Sequence, residues 1–217
     1  MKNVVMPPFP AHTPPPKSVE DLRNDLVSVG LLTSAEMQAI IQDIPVKTFE
    51  KGTLLLRAGQ ISTTCYSVIK GCVREFYLMD GEERTTEFYT EGNSLISTVG
   101  RMPGTPTKRY WECIEPATLS VYTYEKEKEL YRRFPRLESF CRIEVEEKFS
   151  NYQEAMAIYM NSTPEERYLT LLKNRPDLLD RVPQYQLASY IGVKPESLSR
   201  IRGRIRAVSR QKYKRLF

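Results

Sequence analysis

Three residues near the C-terminus, Glu196, Ser199 and Arg200, are spaced by three and four. A helix through them carries a carboxylate, a hydroxyl and a guanidinium on one face. Such a set suits the edges of nucleic-acid bases. A carboxylate accepts from the N4 amine of cytosine, and a guanidinium fork donates two bonds to O6 and N7 of guanine. The same two charges could instead close an i, i+4 ion pair worth roughly 0.2–0.5 kcal/mol. Both uses stay open, because pairing would also pre-orient Arg200. Ser197, Gln184 and Tyr185 offer further groups for phosphate or base contacts, while Lys194, Arg202 and Arg204 suit the phosphate backbone.

The charge distribution agrees with this chemistry. The chain is net +5, but residues 194–217 alone hold nine Lys and Arg against Glu196, a net of +8, so the rest sums to −3. Positive charge gathered at one end is the footprint of a polyanionic partner. Catalysis finds no support. The one histidine, His12, lies in a proline-rich stretch, and no G-x-S-x-G, H-E-x-x-H, P-loop or Rossmann fingerprint is present. Cys65, Cys72, Cys113 and Cys141 are scattered without a C-x-x-C pair, the pattern of reduced, mostly buried thiols. No metal or other cofactor is expected. No apolar run approaches the roughly 18 residues of a membrane span, and the prolines of residues 1–17 interrupt any signal-type helix, so a cytoplasmic location is expected.

The elements that must position the C-terminal residues can be read from periodicity. Leu187, Ala188 and Ile191 form one apolar stripe, Gly192 suits a turn with positive φ, and Val193 re-enters the core. Pro195 fits the first turn of a second helix, in which Leu198, Ile201 and Ile205 face inward. This is a helix-turn-helix from Pro183 to Ile205, with Glu196, Ser199 and Arg200 left on its outer face. Upstream, residues 1–17 hold six prolines and read as a flexible or extended arm. Two short helices follow, one opening at Ser18 and one at Thr33. Between Pro45 and Tyr124 the period is two, with about eight short strands separated by glycine turns, Asp80-Gly81 being the clearest hairpin. That implies a small antiparallel barrel or roll. Residues 125–133 form a short helix. A long one runs from about Arg136 to Met160, too long for the roll to cover, so its apolar stripe calls for a second copy of the chain. Thr163-Pro164-Glu165-Glu166 then opens a helix that leads into the C-terminal domain.

The order of these parts, together with residues 49–77 (FEKGTLLLRAGQISTTCYSVIKGCVREFY) and residues 195–205 (PESLSRIRGRI), resembles the Crp/Fnr family of bacterial transcription regulators. Glu196-x-x-Ser199-Arg200 is similar to the recognition-helix signature of the Fnr branch. The resemblance implies an α+β chain divided into an arm (1–17), a jelly-roll-like, cyclic-nucleotide-binding-type sensor roll (18–134), a dimerisation helix (135–161) and an all-α, winged-helix-type DNA-binding domain (162–217). After the recognition helix only AVSRQKYKRLF follows, so a basic tail is expected in place of a full wing. Partners implied are double-stranded DNA, a second copy of the chain through residues 136–160, and RNA polymerase. A ligand-binding module acting through protein or membrane contacts without DNA is the alternative.

The resemblance is weakest in the sensor. Cyclic-AMP-binding members carry a Gly-Glu-Leu segment and an Arg-Ser/Thr pair. The matching positions here are Gly92-Asn93-Ser94-Leu95 and Thr107-Lys108, so Asn93 replaces the acid and Thr107 the arginine. Arg101, Lys108 and Arg109 could meet some anion or be solvated loop charges. The family's polar pair on the long helix falls at Tyr152 and Gln153. An effector pocket, if used, would draw on Asn93, Ser94, Leu95, Thr107, Lys108, Arg109, Tyr152 and Gln153, with control by cyclic AMP not expected. Residues 1–64 contain no cysteine, which speaks against an iron–sulfur cluster, and the lack of histidine speaks against haem.

Overall fold

The switch from a period of two to one near 3.6 falls at Thr123, where the last strand gives way to a run of helices. A computed structural model describes residues 33–96 and 105–214. The arm, the helix expected from Ser18 and the charge of Arg101 lie outside these residues. Thr33 caps α1 (Ser34–Asp43) through a capping box with Glu36, as the spacing predicts. Among the described residues eight strands follow: β1 (Val46–Phe49), β2 (Leu54–Leu56), β3 (Thr64–Lys70), β4 (Val73–Met79), β5 (Glu82–Tyr89), β6 (Ser94–Leu95), β7 (Arg109–Cys113) and β8 (Ala117–Thr123).

They form two four-stranded antiparallel sheets, ordered β1-β8-β3-β6 and β2-β7-β4-β5. Asp80 (φ 53°) and Gly81 (φ 79°) make the tight turn between β4 and β5, the conformation that a two-residue hairpin loop needs. Leu56, Val68, Val73, Leu95, Trp111, Cys113 and Leu119 close the core between the sheets. Cys65, Cys72 and Cys113 are buried, and none is in a disulfide. Burial pushes Cys72 up to about 12 and Cys113 up to about 11, so both stay protonated and poorly nucleophilic.

Thr123 caps α2 (Tyr124–Arg133), and Phe134-Pro135 turns the chain into α3 (Pro135–Asn161). At 27 residues α3 is about 40 Å long. Among its described side chains Ala155 is the buried hydrophobe, whereas Ile143, Val145, Phe149, Tyr152, Met156 and Met160 are exposed. The C-terminal part comprises α4 (Pro164–Asn174), α5 (Leu178–Arg181), α6 (Gln184–Tyr190) and α7 (Pro195–Lys214). Thr163 and Glu166 complete a second capping box at α4. One expectation needs correction: the chain after Ile205 is not a tail. It continues as helix to Lys214, in keeping with an Arg/Ala/Gln/Lys-rich composition that favours helix and offers no proline or glycine to stop it.

Candidate nucleic-acid interface and the interior of the roll

The helix-turn-helix is built as the apolar spacing requires. Leu187, Ala188, Ile191, Leu198 and Ile201 are all buried in one cluster, with Val193 and Ile205 packed against it. Sinking that face turns the polar face outward. Glu196, Ser199, Arg200, Gln184, Tyr185, Lys194 and Arg204 are exposed, and Ser197 and Arg202 are partly so. Arg200 Nε donates to the backbone carbonyl of Glu196 at 3.4 Å. The side-chain ion pair that the spacing permits is therefore not the one formed, and both charged ends remain available. Arg204 pairs instead with Glu165 in the first turn of α4, at 3.2 Å. Both partners are exposed, so that contact contributes no more than about 1 kcal/mol.

The turn between α6 and α7 is fixed by its surroundings. Gly192 adopts φ +73°, and a Cβ there would stand 2.3 Å from the Tyr159 hydroxyl and 3.0 Å from Arg167 Nη1. The Arg167 guanidinium lies over the Tyr159 ring at 4.3 Å. The helix-turn-helix thus abuts the last turn of α3.

It also sits on the roll, a contact that sequence reasoning did not find. Ser189 on α6 donates to the Glu83 carbonyl at 3.0 Å and accepts from the Thr85 amide at 2.9 Å. Tyr190 meets Phe88 edge-on at 5.2 Å between centroids. Phe88, Cys72 and Ile114 of the roll belong to the same buried cluster as the helix-turn-helix core. Arg175 donates to the Phe88 carbonyl at 3.3 Å and the Thr90 hydroxyl at 3.0 Å. Arg181 forks onto Glu91 with two 2.8 Å bonds and reaches Glu115 through Nε at 3.1 Å. Burial pushes the nearby Glu87 carboxyl up to about 7, against the opposing pull of its bond from the Phe88 amide and of the Arg175 charge.

The residues matched to a family ligand pocket are placed as follows. Asn93 accepts from the Thr90 amide at 3.0 Å, closing the turn before β6. Ser94 bonds Ser67 across to β3 at 3.0 Å, and Leu95 is fully buried in the roll core. Thr107 is buried, and its hydroxyl accepts from the Arg109 amide at 3.1 Å. Lys108 is exposed, as are Tyr152 and Gln153 on α3. Thr107 and Lys108 share an open cleft of about 560 Å³ with Gly59, Leu78, Pro106 and Tyr110. Arg109 turns to Glu75, at 3.3 Å. Among the described residues no group of three or more His, Cys, Asp or Glu side chains could hold a metal ion, and no helix is long and apolar enough to cross a membrane.

No protein-family model matches the chain. A sequence relative is the transcriptional activator protein FnrA of Stutzerimonas stutzeri, 24% identical over 170 residues that cover 71% of this chain and 68% of the relative. Among solved structures, the c-di-GMP-responsive global regulator CLP of Xanthomonas campestris superposes with a TM-score of 0.62 at 17% identity, over 81% of this chain and 93% of that one. FixK2 of Bradyrhizobium japonicum does so with a TM-score of 0.61 at 17% identity, over 76% and 86%. Two antiparallel sheets closed into a roll, a long connecting helix and a C-terminal helix-turn-helix make up this chain, which shares the fold of these neighbours.

Proposed function

We propose that the chain is a homodimeric, sequence-specific DNA-binding transcription regulator that does not respond to cyclic AMP. One observation carries the reading. The outer face of α7 presents Glu196, Ser199 and Arg200 to solvent, with the carboxylate and guanidinium ends not spent on each other, while Leu198 and Ile201 anchor the opposite face. Arg200 and Glu196 read base edges, Ser197, Ser199, Gln184 and Tyr185 contribute phosphate or base contacts, and Lys194, Arg202 and Arg204 bind phosphates. The exposed stripe Val145, Phe149, Tyr152, Met156, Met160 on α3 recurs at spacings of three and four. A second α3 covers it, which sets the two α7 helices for half-sites about one helical turn, ~34 Å, apart. RNA polymerase is the downstream partner, the setting is the cytoplasm, and no catalytic step is involved.

Selection of duplexes from a randomised pool, followed by fluorescence anisotropy on the winner and a scrambled version, tests this. A near-palindromic winner bound at least ~10³-fold more tightly than the scrambled duplex is expected. Equal affinity for both at moderate salt, with Arg200→Ala no weaker, defeats the reading.

A further inference from the structure

The roll holds a carboxylate that the DNA-reading face does not use. Glu75 on β4 is 6% exposed, and four donors from the two flanking strands converge on it. From β7, Trp111 Nε1 donates to Oε2 at 2.9 Å and Arg109 Nη1 to the same oxygen at 3.3 Å. From β5, the Tyr89 hydroxyl donates to Oε2 at 3.3 Å and the Thr86 hydroxyl to Oε1 at 3.0 Å. Taking a carboxylate out of water costs several kcal/mol unless donors replace the water. Here an indole N–H, a guanidinium and two hydroxyls do so. Burial holds the Tyr89 hydroxyl well above its usual value, so it stays a protonated donor. Burial works against the Arg109 charge, but Glu75 and the nearby tyrosines outweigh it and raise that group.

One cation with three neutral donors around a single point is the lining that a small free carboxylate needs. We propose that the roll contains a carboxylate-binding site and that Glu75, reaching in from the strand between its donors, is the tethered ligand that fills it. The site is satisfied by the chain itself, so Arg109 needs no free anion for neutrality, and small anions are excluded while Glu75 is in place. This inference does not rest on DNA binding.

Trp111 is the only tryptophan in the chain, and its indole N–H is one of the four donors, so its emission reports the site directly. Glu75→Ala removes a group the size of acetate. In the full-length variant, sodium acetate should bind saturably, returning Trp111 emission and Tm toward wild type, while sodium chloride at equal ionic strength should not. The wild type should show no saturation, its apparent affinity for acetate lying roughly tenfold or more below the variant's, the scale of one charge-assisted hydrogen bond. Glu75→Gln keeps the volume and lacks the charge, so it should alter emission without acetate rescue. If Glu75→Ala is unfolded alone, acetate-dependent folding is the expected result. Saturable binding of acetate, inorganic phosphate or cyclic AMP by the wild type at this tryptophan overturns the proposal. So does a Glu75→Ala chain that acetate neither binds nor folds. Neither readout involves DNA, so failure here and failure of the regulator reading are separable.

Discussion

Replacing Arg181 by methionine should loosen the helix-turn-helix from the roll. The guanidinium makes two 2.8 Å bonds to Glu91 and two to Glu115, at 3.1 Å through Nε and 2.5 Å through Nη2. The three side chains are 24%, 27% and 28% exposed, so the clamp lies between two regimes. Fully exposed pairs contribute about 0–1 kcal/mol, and removing one partner of a buried pair costs about 3–5 kcal/mol. With roughly a quarter of each group in water, Arg181→Met should cost about 2 kcal/mol. Glu91→Gln should cost about 1–2 kcal/mol, because that carboxylate also accepts from the Gly71 amide at 2.9 Å. The measurement is a double-mutant cycle by urea unfolding, followed by circular dichroism. A coupling of about 1 kcal/mol is expected, with a broadened or split transition if the two parts begin to unfold separately. Burial pushes Glu91 up, but its bonds from Arg181 and from Gly71 hold it below the ordinary carboxylate range. Its contribution is therefore present at neutral pH and lost as pH falls through that lowered value. A coupling under about 0.5 kcal/mol at neutral pH would show that the apolar cluster alone seats the helix-turn-helix.

Arg200→Ala should leave stability unchanged, since the side chain is exposed, and weaken the selected duplex by about 1–3 kcal/mol in an anisotropy titration while relaxing one base position. Glu87 has a folded value of about 7, above its unfolded value near 4.3, so the folded state binds the extra proton and stability should fall as pH rises between them. The stability measured by urea unfolding across that window should decline by less than the ~4 kcal/mol ceiling, and Glu87→Gln should flatten the decline. Gly203 lies inside α7 with nothing within 4 Å of a Cβ, so Gly203→Ala should raise stability by about 0.5–1 kcal/mol in thermal melts. Phe149 on α3 is 61% exposed. Phe149→Glu should turn a dimer into a monomer in sedimentation velocity, with the circular dichroism spectrum retained.

What was legible in the sequence was local. Thr33 with Glu36 and Thr163 with Glu166 announce helix starts because both halves of each capping box lie three residues apart. Asp80-Gly81 announces a hairpin because few residue pairs tolerate its dihedrals. The strand β1 was not seen, since its largely exposed residues pair with β8 some seventy positions away. The seat of the helix-turn-helix escaped for the same reason. The groups of the roll that Arg175 and Arg181 bind, a carbonyl, a hydroxyl and two carboxylates, lie 66 to 90 positions away in the chain. Glu75 did leave a trace. It occupies the inward register of β4, two residues from Val73 and opposite Trp111, and a charge in that register has to be met by donors.

Taken together, the contacts decide how the roll can influence the reading face. Ser189, Tyr190, Arg175 and Arg181 all bind the roll, and the Gly192 turn rests on Tyr159. None of these contacts involves Glu196, Ser199 or Arg200, which stay exposed. The roll therefore places α7 without covering its outer face. In a dimer joined through α3, the spacing and tilt of the two α7 helices then follow from the Tyr159–Gly192 contact and the β5–α6 seat. On the proposed function, a shift at either would misplace both α7 helices relative to half-sites one helical turn apart. Affinity for a two-half operator should thus be more sensitive to these distant contacts than affinity for a single half-site, because one reader can follow the groove alone while two must agree on a distance.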